Sequence, residues 1–444
     1  MNDTGRVNAA SAGQEFAAFV AIDWGNEEHC WAMQTPRGRE RGKLPHTPEA
    51  IEEWAAGLAH RFPGQSVAVA LEQARGALLY ALCKYGHLVL FPVHPATSSR
   101  YRTALFPSGA KDDPTDADLL LDLLVHHRHH LRPLQPDTAQ TRKLQLLVEK
   151  RRQMVDIRTR HINSIIAHLK MYFPQALGWF EELHSPLFAD FLNHWPTLQQ
   201  LQRAKPKSIL KFLHKHNCRS EALNSKRLEE IAAARPLTDD PAVVEPCSIV
   251  VKGLLDGVAV LRTTIQALDR AIETVCAEHP DYGIFASFPS AGSVLAPRLL
   301  AVFGSMRDRF ASASDVQTFS GIAPVIQRSG RSVWIHFRWA CPKFIRQTFH
   351  EYAGLSIQTC DWARAFYDKQ REKGKGHHAA VRSLAFKWIR IMYRCWRDSS
   401  EYSEQHHLDT RATRAKPASP KHRTKMELQF QPAAGFQKFS ALRT

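Results

Sequence analysis

A long stretch without glycine or proline constrains the fold of this chain more than any other feature. Neither residue type occurs from Thr138 to Tyr172, so nothing in that stretch is expected to break a helix. Apolar residues recur there every seven positions, at Val148, Val155, Ile162 and Leu169. This spacing predicts a helix of many turns with a single apolar seam.

A second seam follows about a hundred residues later in the chain. Its apolar residues alternate in steps of four and three: Leu254, Val258, Leu261, Ile265, Leu268, Ile272 and Val275. The two seams predict paired long helices. The pattern alone leaves open whether they are core helices of one bundle or an intermolecular coiled coil. In either case they would separate two functional domains.

The first 130 residues alternate between strand and helix patterns. An apolar run from Phe16 to Asp23 and a second from Glu28 to Met33 flank a turn at Gly25, which predicts a hairpin. Further strands are predicted over 66–72 and 88–93, and helices over 47–59, 76–85 and 113–125. The alternation predicts an α/β domain that closes near residue 130.

Length and charge limit the possible classes of protein. At 444 residues the chain exceeds the usual length of about 100–200 residues per domain, so we expect two or three domains. Its 59 Lys and Arg residues outnumber 43 Asp and Glu residues, which gives a net charge of +16. Basic residues are in excess along the whole chain and not only in one tail. A polyanionic partner such as nucleic acid is the simplest inference. A basic soluble protein that binds no nucleic acid is the alternative.

Cysteines and apolar runs bear on the cellular compartment. The eight cysteines occur singly, without the paired spacing of a disulfide framework or a zinc ribbon, which fits a reducing cytosol. The N-terminus lacks the pattern of a signal peptide, and no uninterrupted apolar stretch reaches the roughly 18 residues of a membrane span. We therefore expect a cytoplasmic protein that is neither exported nor membrane-spanning.

Four acidic residues occupy positions from which they could converge. Asp23 ends the first predicted strand, Glu72 ends a later one, and Asp113 and Asp116 lie three apart at a helix start, where both can face one way. Strand transfer in nucleic acids uses carboxylates that hold two divalent cations, and Mg²⁺ prefers oxygen ligands. Asp112 lies four before Asp116 and is an alternative ligand.

Each acid also has a structural explanation that needs no metal. Asp23 could cap the turn before Gly25, and Glu72 could pair with Arg75. Asp113 could be a helix N-cap, because Pro114 would then stand at the first helical position. The group of acids is therefore more specific than any one of its members.

The acidic motifs resemble those of a known family. The segments Ala21–Asp23, Leu71–Glu72 and Lys111–Ala117 resemble the D, E, D, D motif of the insertion-sequence-110 (IS110) transposases, whose N-terminal domain is similar to RuvC Holliday-junction resolvases. The resemblance spans about residues 15–400. Asp113 matches the family position better than Asp112. Three further segments are typical of the subgroup named for insertion sequence 1111: Leu183–Phe188, Phe212–Cys218 and Pro236–Val243.

A second motif resembles the family's C-terminal transposase domain. It begins near Pro289-Ser290-Ala291-Gly292, where Ser290 replaces the glycine that the family usually has, so we expect an altered turn. It continues through Phe310, Phe319–Pro324 and Gln327–Gly330. The resemblance implies that Ser329 is the nucleophile. Ser320 and Ser332 are nearby alternatives, and Ser329 could instead cap a turn.

The resemblance also implies a fold, a cofactor and partners. The fold would comprise an α/β ribonuclease-H/RuvC-like domain, a long helical, coiled-coil-like region and a mainly α-helical transposase domain. Asp23, Glu72, Asp113 and Asp116 would bind two Mg²⁺ ions and act with Ser329. The partners would be the element ends and target DNA, a bridging non-coding RNA, and further copies of the chain in a dimer or tetramer that shares its active site.

Basic segments provide candidate nucleic-acid-binding residues. A stretch over 203–219 interleaves basic and apolar residues, as do 341–346 and 371–388. Solvated or amphipathic helix faces are the alternative explanation. The candidates are Lys207, Lys211, Arg328, Arg331, Arg338, Lys343 and Arg346.

Two further regions are expected to carry no site. The run His126-His127-Arg128-His129-His130 lacks the spacing of a metal site and is expected to be a solvated helix end. Residues from 399 onward are polar and basic, which predicts a disordered tail. The predicted regions are 1–14 as an extension, 15–130 as the acidic domain, 131–280 as long helices, 281–398 as the serine domain and 399–444 as the tail.

Three functions compete at this point. The favoured one is a DNA transposase or recombinase that excises and inserts a mobile element by metal-assisted serine attack on DNA. A RuvC-type junction-resolving nuclease would need the acids but not the serine domain. A non-catalytic nucleic-acid-binding protein would need neither, whereas all four acids and the serine are present.

Overall fold

The computed structural model of the protein describes residues 15–72, 76–105 and 113–415. By its contacts the chain divides into two compact units. The first runs to Gln153 and takes in Gly304–Arg309, and the second consists of Met154–Phe303 and the chain from Phe310 onward. This division does not follow the predicted regions, whose boundaries stay predictions.

The first unit is built on a five-stranded mixed sheet. Strands β1 (Ala18–Asp23), β2 (Glu28–Thr35) and β3 (Gly38–Pro45) form an antiparallel meander, while β4 (Val67–Leu71) and β5 (Leu88–Pro92) run parallel to β1. The strand order is β3-β2-β1-β4-β5. The predicted hairpin and both later strands are confirmed, and β3 is an additional strand.

Four helices of the first unit precede the long helix. They are α1 (Pro48–Arg61), α2 (Ala77–Leu82), α3 (Pro95–Leu105) and α4 (Asp113–His127). Thr47 caps α1, because its side chain accepts a hydrogen bond from the backbone N–H of Ala50. The predictions for α1, α2 and α4 are confirmed, whereas α3 was not predicted.

The two faces of the sheet carry side chains of different size. One face packs bulky valine, isoleucine and leucine side chains against α1 and α2. The other face packs alanines against Ala117, Leu120 and Leu121 of α4. Small side chains let a helix approach the sheet closely, so α4 lies tightly against it. The alanines are Ala21, Ala32, Ala68 and Ala70.

The two long helices are confirmed. Helix α5 (Ala139–Tyr172) passes from the first unit into the second, where α10 (Pro241–Ala277) lies. In the second unit Ile165 and Leu169 of α5 share one core with α10 residues. A Cβ atom added at Gly257 of α10 would lie 3.0 Å from the ring of His161. The helices therefore pair within one chain, as core helices of a bundle do.

Four short helices lie between the long ones along the chain: α6 (Pro186–His194), α7 (Leu198–Arg203), α8 (Pro206–Lys215) and α9 (Glu221–Ala233). Helix α8 belongs to the basic segment over 203–219. Its Ile209 and Leu213 are buried, while Lys207 and Lys211 are exposed. The exposed lysines are compatible with both predictions for this segment, a solvated helix face and a surface that contacts phosphates.

The C-terminal part is mainly helical around one small hairpin. Fully buried Trp388 and Trp396 lie in its core. The hairpin consists of β6 (Val325–Ser329) and β7 (Ser332–His336). The helices are α11 (Tyr282–Ala286), α12 (Gly292–Phe303), α13 (Ala313–Phe319), α14 (Lys343–Thr359), α15 (Asp361–Glu372), α16 (His377–Arg397) and α17 (Glu404–Ala415).

Ser290 adopts the backbone conformation that glycine would favour. Its φ of 62° lies in the left-handed region, which disfavours side chains. The Ser290 hydroxyl makes a hydrogen bond with that of Thr359 and also contacts Leu355 O at 3.4 Å. These contacts hold the residue in a conformation that glycine adopts more readily, and whether the turn differs from that of the family stays a prediction.

The prediction of disorder from residue 399 is wrong for the first part of that segment. Trp362 Nε1 donates to Tyr402 Oη at 2.9 Å, and the Tyr402 ring stacks on Phe288 with centroids 5.0 Å apart. Helix α17 follows. One aromatic side chain anchors the segment, which a composition average does not register. The remainder of the predicted tail, from 416, lies outside the described residues.

Two sequence predictions about compartment have structural counterparts. None of the eight cysteines, all of which lie in the described residues, forms a disulfide. Across residues 15–72, 76–105 and 113–415, none of the helices is both long enough and apolar enough to span a bilayer.

Candidate functional site

Two of the predicted acids lie side by side at one edge of the sheet. Asp23 is the last residue of β1, and Glu72 directly follows β4. The strands are parallel and pair Ile22 with Leu71, so the two acids occupy the next position of the same register. Neighbouring strands lie about 4.8 Å apart, so the two backbones are close at this point.

Both acids belong to the sheet face covered by α4. Side chains alternate along a strand, and Ala21 and Ala70 lie in the core shared with α4. Asp23 and Glu72 follow two residues later and share that face. Asp23 is only 8% exposed. The hairpin turn and the parallel register therefore bring together two carboxylates from residues about fifty positions apart.

The third acid comes from α4 itself. Asp116 is 4% exposed and immediately precedes Ala117, which packs on the alanine face of the sheet. Asp113 is the first residue of the same helix, one turn before Ala117. The Asp113 side chain and the whole of Asp112 lie outside the described residues, so the choice between them stays a prediction.

Helix α3 supplies partners to two of the acids. Ser98 Oγ donates a hydrogen bond to Glu72 Oε1, and the Arg102 guanidinium forms an ion pair with Asp116. Ser98 and Arg102 are four residues apart and so share one helix face. Neither residue was predicted as part of the site, because α3 itself was not predicted. The suggested alternative partner of Glu72, Arg75, lies outside the described residues.

The donor set fits a hard divalent cation in its chemistry. The candidate ligands are all carboxylates, and Mg²⁺ prefers oxygen ligands. Among the residues that the structure describes, no three His, Cys, Asp or Glu side chains gather closely enough to hold a metal. The contacts with Ser98 and Arg102 hold Glu72 and Asp116 instead. The two-metal site stays a prediction.

A cluster of three rings stabilises the turn that follows Asp23. The backbone N–H of Gly25 donates to His29 Nδ1 at 3.1 Å, and His29 Nε2 lies 3.0 Å from His46 Nδ1. The Trp24 ring lies 4.9 Å from each imidazole, centroid to centroid. Burial, and to a lesser extent the neighbouring His46, lowers the pKa of His29 to about 4. The neutral imidazole therefore stabilises the turn beside the end of β1 by accepting the Gly25 N–H.

Ser329 lies beside the tip of the β6–β7 hairpin. It is the last residue of β6 and pairs with Ser332 across a turn of two residues. Gly330 in that turn has a φ of 56°, which suits a tight hairpin. Ser329 and Ser332 are both exposed, whereas Ser320 is completely buried and donates to Gln317 O. Only the hairpin serines could therefore reach a macromolecular phosphate.

The predicted basic residues of this region differ in their surroundings. Arg328, Arg331 and Lys343 are exposed. Arg338 is half-buried and donates from Nε to Ala323 O at 3.2 Å, and Arg346 donates to Arg338 O at 3.0 Å. The first three are available to a partner, while the other two also stabilise the base of the hairpin.

The histidine run ends α4 as predicted. Its exposed members are His126, His129 and His130, and the rings of the last two are tilted to each other with centroids 4.0 Å apart. The run is a solvated helix end.

Comparison with known families matches both parts of the chain. Residues 20–174 match the DEDD transposase model of IS110 elements, described as a transposase. Residues 282–368 match a model described as a transposase of the IS116/IS110/IS902 family. The first match contains the sheet and its acids, and the second contains the serine hairpin.

Individual relatives are similar over nearly their whole length. A mini-circle protein of Streptomyces coelicolor, named as a transposase for IS117, is 27% identical, and the alignment covers 87% of this chain and 95% of the relative. The uncharacterized 43.6 kDa protein of insertion element IS110 from the same organism is 25% identical, with 88% and 97% covered. The uncharacterized 42 kDa protein of insertion element IS900 from Mycobacterium paratuberculosis is 25% identical, with 86% and 96% covered. With both domain models matched in order, this chain belongs to the IS110 family of transposases.

Proposed function

We propose that this transposase excises and inserts a mobile element through serine attack on a DNA phosphodiester, assisted by the acidic edge of its sheet. One observation carries the proposal: Asp23 and Glu72 lie opposite each other at the ends of paired strands, while Ser329 is exposed beside a hairpin tip. Such an arrangement suits a reaction in which one group attacks and others stabilise developing charge.

Ser329 would be the nucleophile. Its Oγ would form a bond to phosphorus while one bridging P–O bond of the DNA breaks; the serine proton is released and the departing oxygen gains one. The hydroxyl of another strand would then attack the phosphoserine and restore both the serine and a DNA phosphodiester. Each step exchanges one phosphoester for another, so no external energy source is needed.

Asp23, Glu72, Asp113 and Asp116 would hold two Mg²⁺ ions. Such ions, when bound, stabilise the charge of a phosphoryl group under attack. Arg328 and Arg331, exposed beside the serine, would orient the DNA backbone by charge-assisted hydrogen bonds. The carboxylates of one subunit and the serine of another would act on the same phosphate, in a dimer or tetramer.

Partners and subgroup complete the proposal. The chain would belong to the insertion-sequence-1111 subgroup, and the family resemblance favours guidance by a bridging non-coding RNA, in which base pairing selects the DNA while the protein contacts backbones. The exposed lysines of α8, Lys207 and Lys211, are proposed backbone contacts for either nucleic acid. The protein would work in the cytoplasm, at the nucleoid.

A recombination assay with serine variants tests the nucleophile. The protein, purified with its co-purifying RNA, is given donor and target DNA, and Ser329→Ala is compared with Ser332→Ala. We expect Ser329→Ala to lose recombination by at least about a thousandfold and Ser332→Ala to keep most of it. Undiminished DNA cutting by Ser329→Ala would instead favour a junction-resolving nuclease.

The acids are tested in the same assay. Asp23→Asn and Glu72→Gln should each abolish recombination and leave RNA binding largely intact, because a lost carboxylate does not alter the basic surface. Asp118→Asn is the matched control, since Asp118 lies two residues beyond Asp116 but pairs with Arg41. Full recombination by either acid variant would overturn the site assignment. If the wild-type chain also showed no recombination, a non-catalytic binding protein would be favoured.

A further inference from the structure

A cluster of two arginines and two histidines lies on two packed helices of the C-terminal part. It comprises Arg346 and His350 of α14 with His378 and Arg382 of α16, and is called the basic cradle below. The rings of His350 and His378 lie 5.5 Å apart. Steps of four residues on each helix place these side chains on facing sides. The cradle is therefore a surface shared by two helices.

Phe337 joins the cradle to the serine hairpin. The guanidinium carbons of Arg346 and Arg382 lie 4.6 and 5.1 Å from the centre of the Phe337 ring. Phe337 directly follows His336, the last residue of β7. Arg346 NH1 also donates to Arg338 O at 3.0 Å. Both guanidinium groups are thus positioned against one aromatic ring at the base of the hairpin.

The positive charge of the cradle is not balanced by the nearest acid. Glu351 follows His350, but one of its oxygens accepts from Arg298 NH1 at 2.6 Å and the other from Gln347 Nε2 at 2.7 Å. Within the described parts of the chain, neither Arg346 nor Arg382 forms an ion pair with a carboxylate. The two arginines of the cradle therefore lie close together without a carboxylate partner of their own.

The pKa values respond to this crowding. Burial, and then the proximity of Arg346, lowers the pKa of Arg382. Burial lowers the pKa of His350, and His378, Arg382 and His377 lower it further, while Glu351 opposes them. Two guanidinium groups held close together in a partly buried place are unfavourable until an anion joins them. The free protein thus holds a surface that an anionic ligand would stabilise.

We propose that the basic cradle binds a backbone phosphate of the DNA strand on which Ser329 acts. This inference rests on the function proposed above. Two guanidinium groups held by an aromatic ring suit the planar, bidentate recognition of a phosphate. The cradle contacts the backbone and carries no base specificity.

The distance along the hairpin indicates which phosphate is bound. Ser332, the partner of Ser329, lies four residues before His336. At roughly 3.4 Å per residue, the hairpin extends about 14 Å from its base to the serine pair. The cradle therefore binds a phosphate farther along the strand than the scissile one, and it fixes the register of the DNA.

Salt dependence of DNA binding tests the cradle. Labelled duplex DNA is titrated with the full-length protein at several salt concentrations, using Arg382→Gln, Arg382→Lys and the control Arg364→Gln. Arg364 is exposed on α15, so the control removes the same charge from the same domain. Each lost phosphate contact should reduce the slope of log affinity against log salt by about 0.9.

Arg382→Gln should show that reduction and roughly tenfold weaker binding near 0.1 M salt. Arg382→Lys should keep the slope, because it keeps the charge, and Arg364→Gln should match the wild type. Unchanged affinity and slope for Arg382→Gln, or a loss seen with RNA but not with DNA, would overturn the proposal. If the wild-type chain bound no DNA at all, the proposed function itself would fail.

Discussion

His29 shows how one buried side chain links pH to the integrity of the acidic edge. It is completely buried, and it accepts the backbone N–H of Gly25, two residues beyond Asp23. A proton on Nδ1 would end that hydrogen bond. The low pKa of His29, about 4, means that the folded protein resists this protonation while the unfolded chain does not.

Stability should therefore fall with acid in a defined range. Below pH 6.5 the unfolded chain binds a proton at His29, whereas the folded protein binds that proton only near pH 4. At about 1.4 kcal/mol per pKa unit, the free energy of unfolding should drop by at most about 3 kcal/mol across that range. Urea unfolding at several pH values should show a flatter dependence in His29→Gln. The exposed His60→Gln is the control, and equal slopes in all three proteins would contradict the account.

Arg102 is the second residue with a measurable consequence. The Asp116 carboxylate is only 5% exposed, so removing the arginine takes a close positive charge away from a buried negative one. We expect Arg102→Gln to lose roughly 3 kcal/mol of stability without divalent cations. A cation bound at the acids should replace the lost charge, so Mn²⁺ should raise the melting temperature of Arg102→Gln more than that of the wild type.

The neighbouring Arg100 provides the control for that comparison. It lies exposed on the same helix, and Arg100→Gln should respond to Mn²⁺ as the wild type does. If Arg102→Gln gained no more from Mn²⁺ than Arg100→Gln, Asp116 would not be a metal ligand.

At the scale of elements, the long helices were predictable because their pattern is local. The seven-residue spacing in α5 and the four-and-three spacing in α10 specify amphipathic helices without reference to the rest of the chain. Strand β3 carries no such pattern. Its Arg39 and Arg41 pair with Asp122 and Asp118 of α4, so contacts from distant residues stabilise a strand whose sequence is mostly polar.

Helix α3 escaped prediction for a similar reason. It has one buried residue, Ser98, and therefore lacks the apolar stripe that indicates a helix. Ser98 is buried where it donates a hydrogen bond to Glu72, at the acidic edge of the sheet. The four acids were thus predictable as a motif, but their partners Ser98 and Arg102 were not.

Two glycines of α10 test the pairing of the long helices. A Cβ atom at Gly253 would contact nothing within 4 Å, whereas one at Gly257 would press on His161. Gly253→Ala should stabilise the protein by up to about 1 kcal/mol through helix propensity. Gly257→Leu should instead destabilise it by about 1–3 kcal/mol, because the larger side chain separates α5 from α10.

Chemical unfolding of both variants at two protein concentrations completes that test. Pairing within one chain predicts shifts that do not depend on concentration. A Gly257→Leu protein as stable as Gly253→Ala would show that these helices do not pack at this point.

At the scale of the whole molecule, the acids and the serine belong to different compact units. The sequence placed them at opposite ends of the chain, and the family models match them separately. Between them the chain returns to the first unit at Gly304–Arg309, where Ser305 N donates to Asp137 Oδ2 at 3.0 Å. No sequence pattern predicts that Gly304–Arg309 belongs to the first unit, because this contact depends on one buried carboxylate and a few backbone groups.

The proposed function requires that Ser329 becomes bonded to DNA, and mapping that bond is its most direct test. A reaction of the protein and its RNA with donor and target DNA is quenched with denaturant, digested with protease and nuclease, and examined by mass spectrometry. We expect a nucleotide remnant on Ser329 in the wild type and in Ser332→Ala, and none in Asp23→Asn. A remnant on any other residue, or recombination that proceeds without one, would contradict the account.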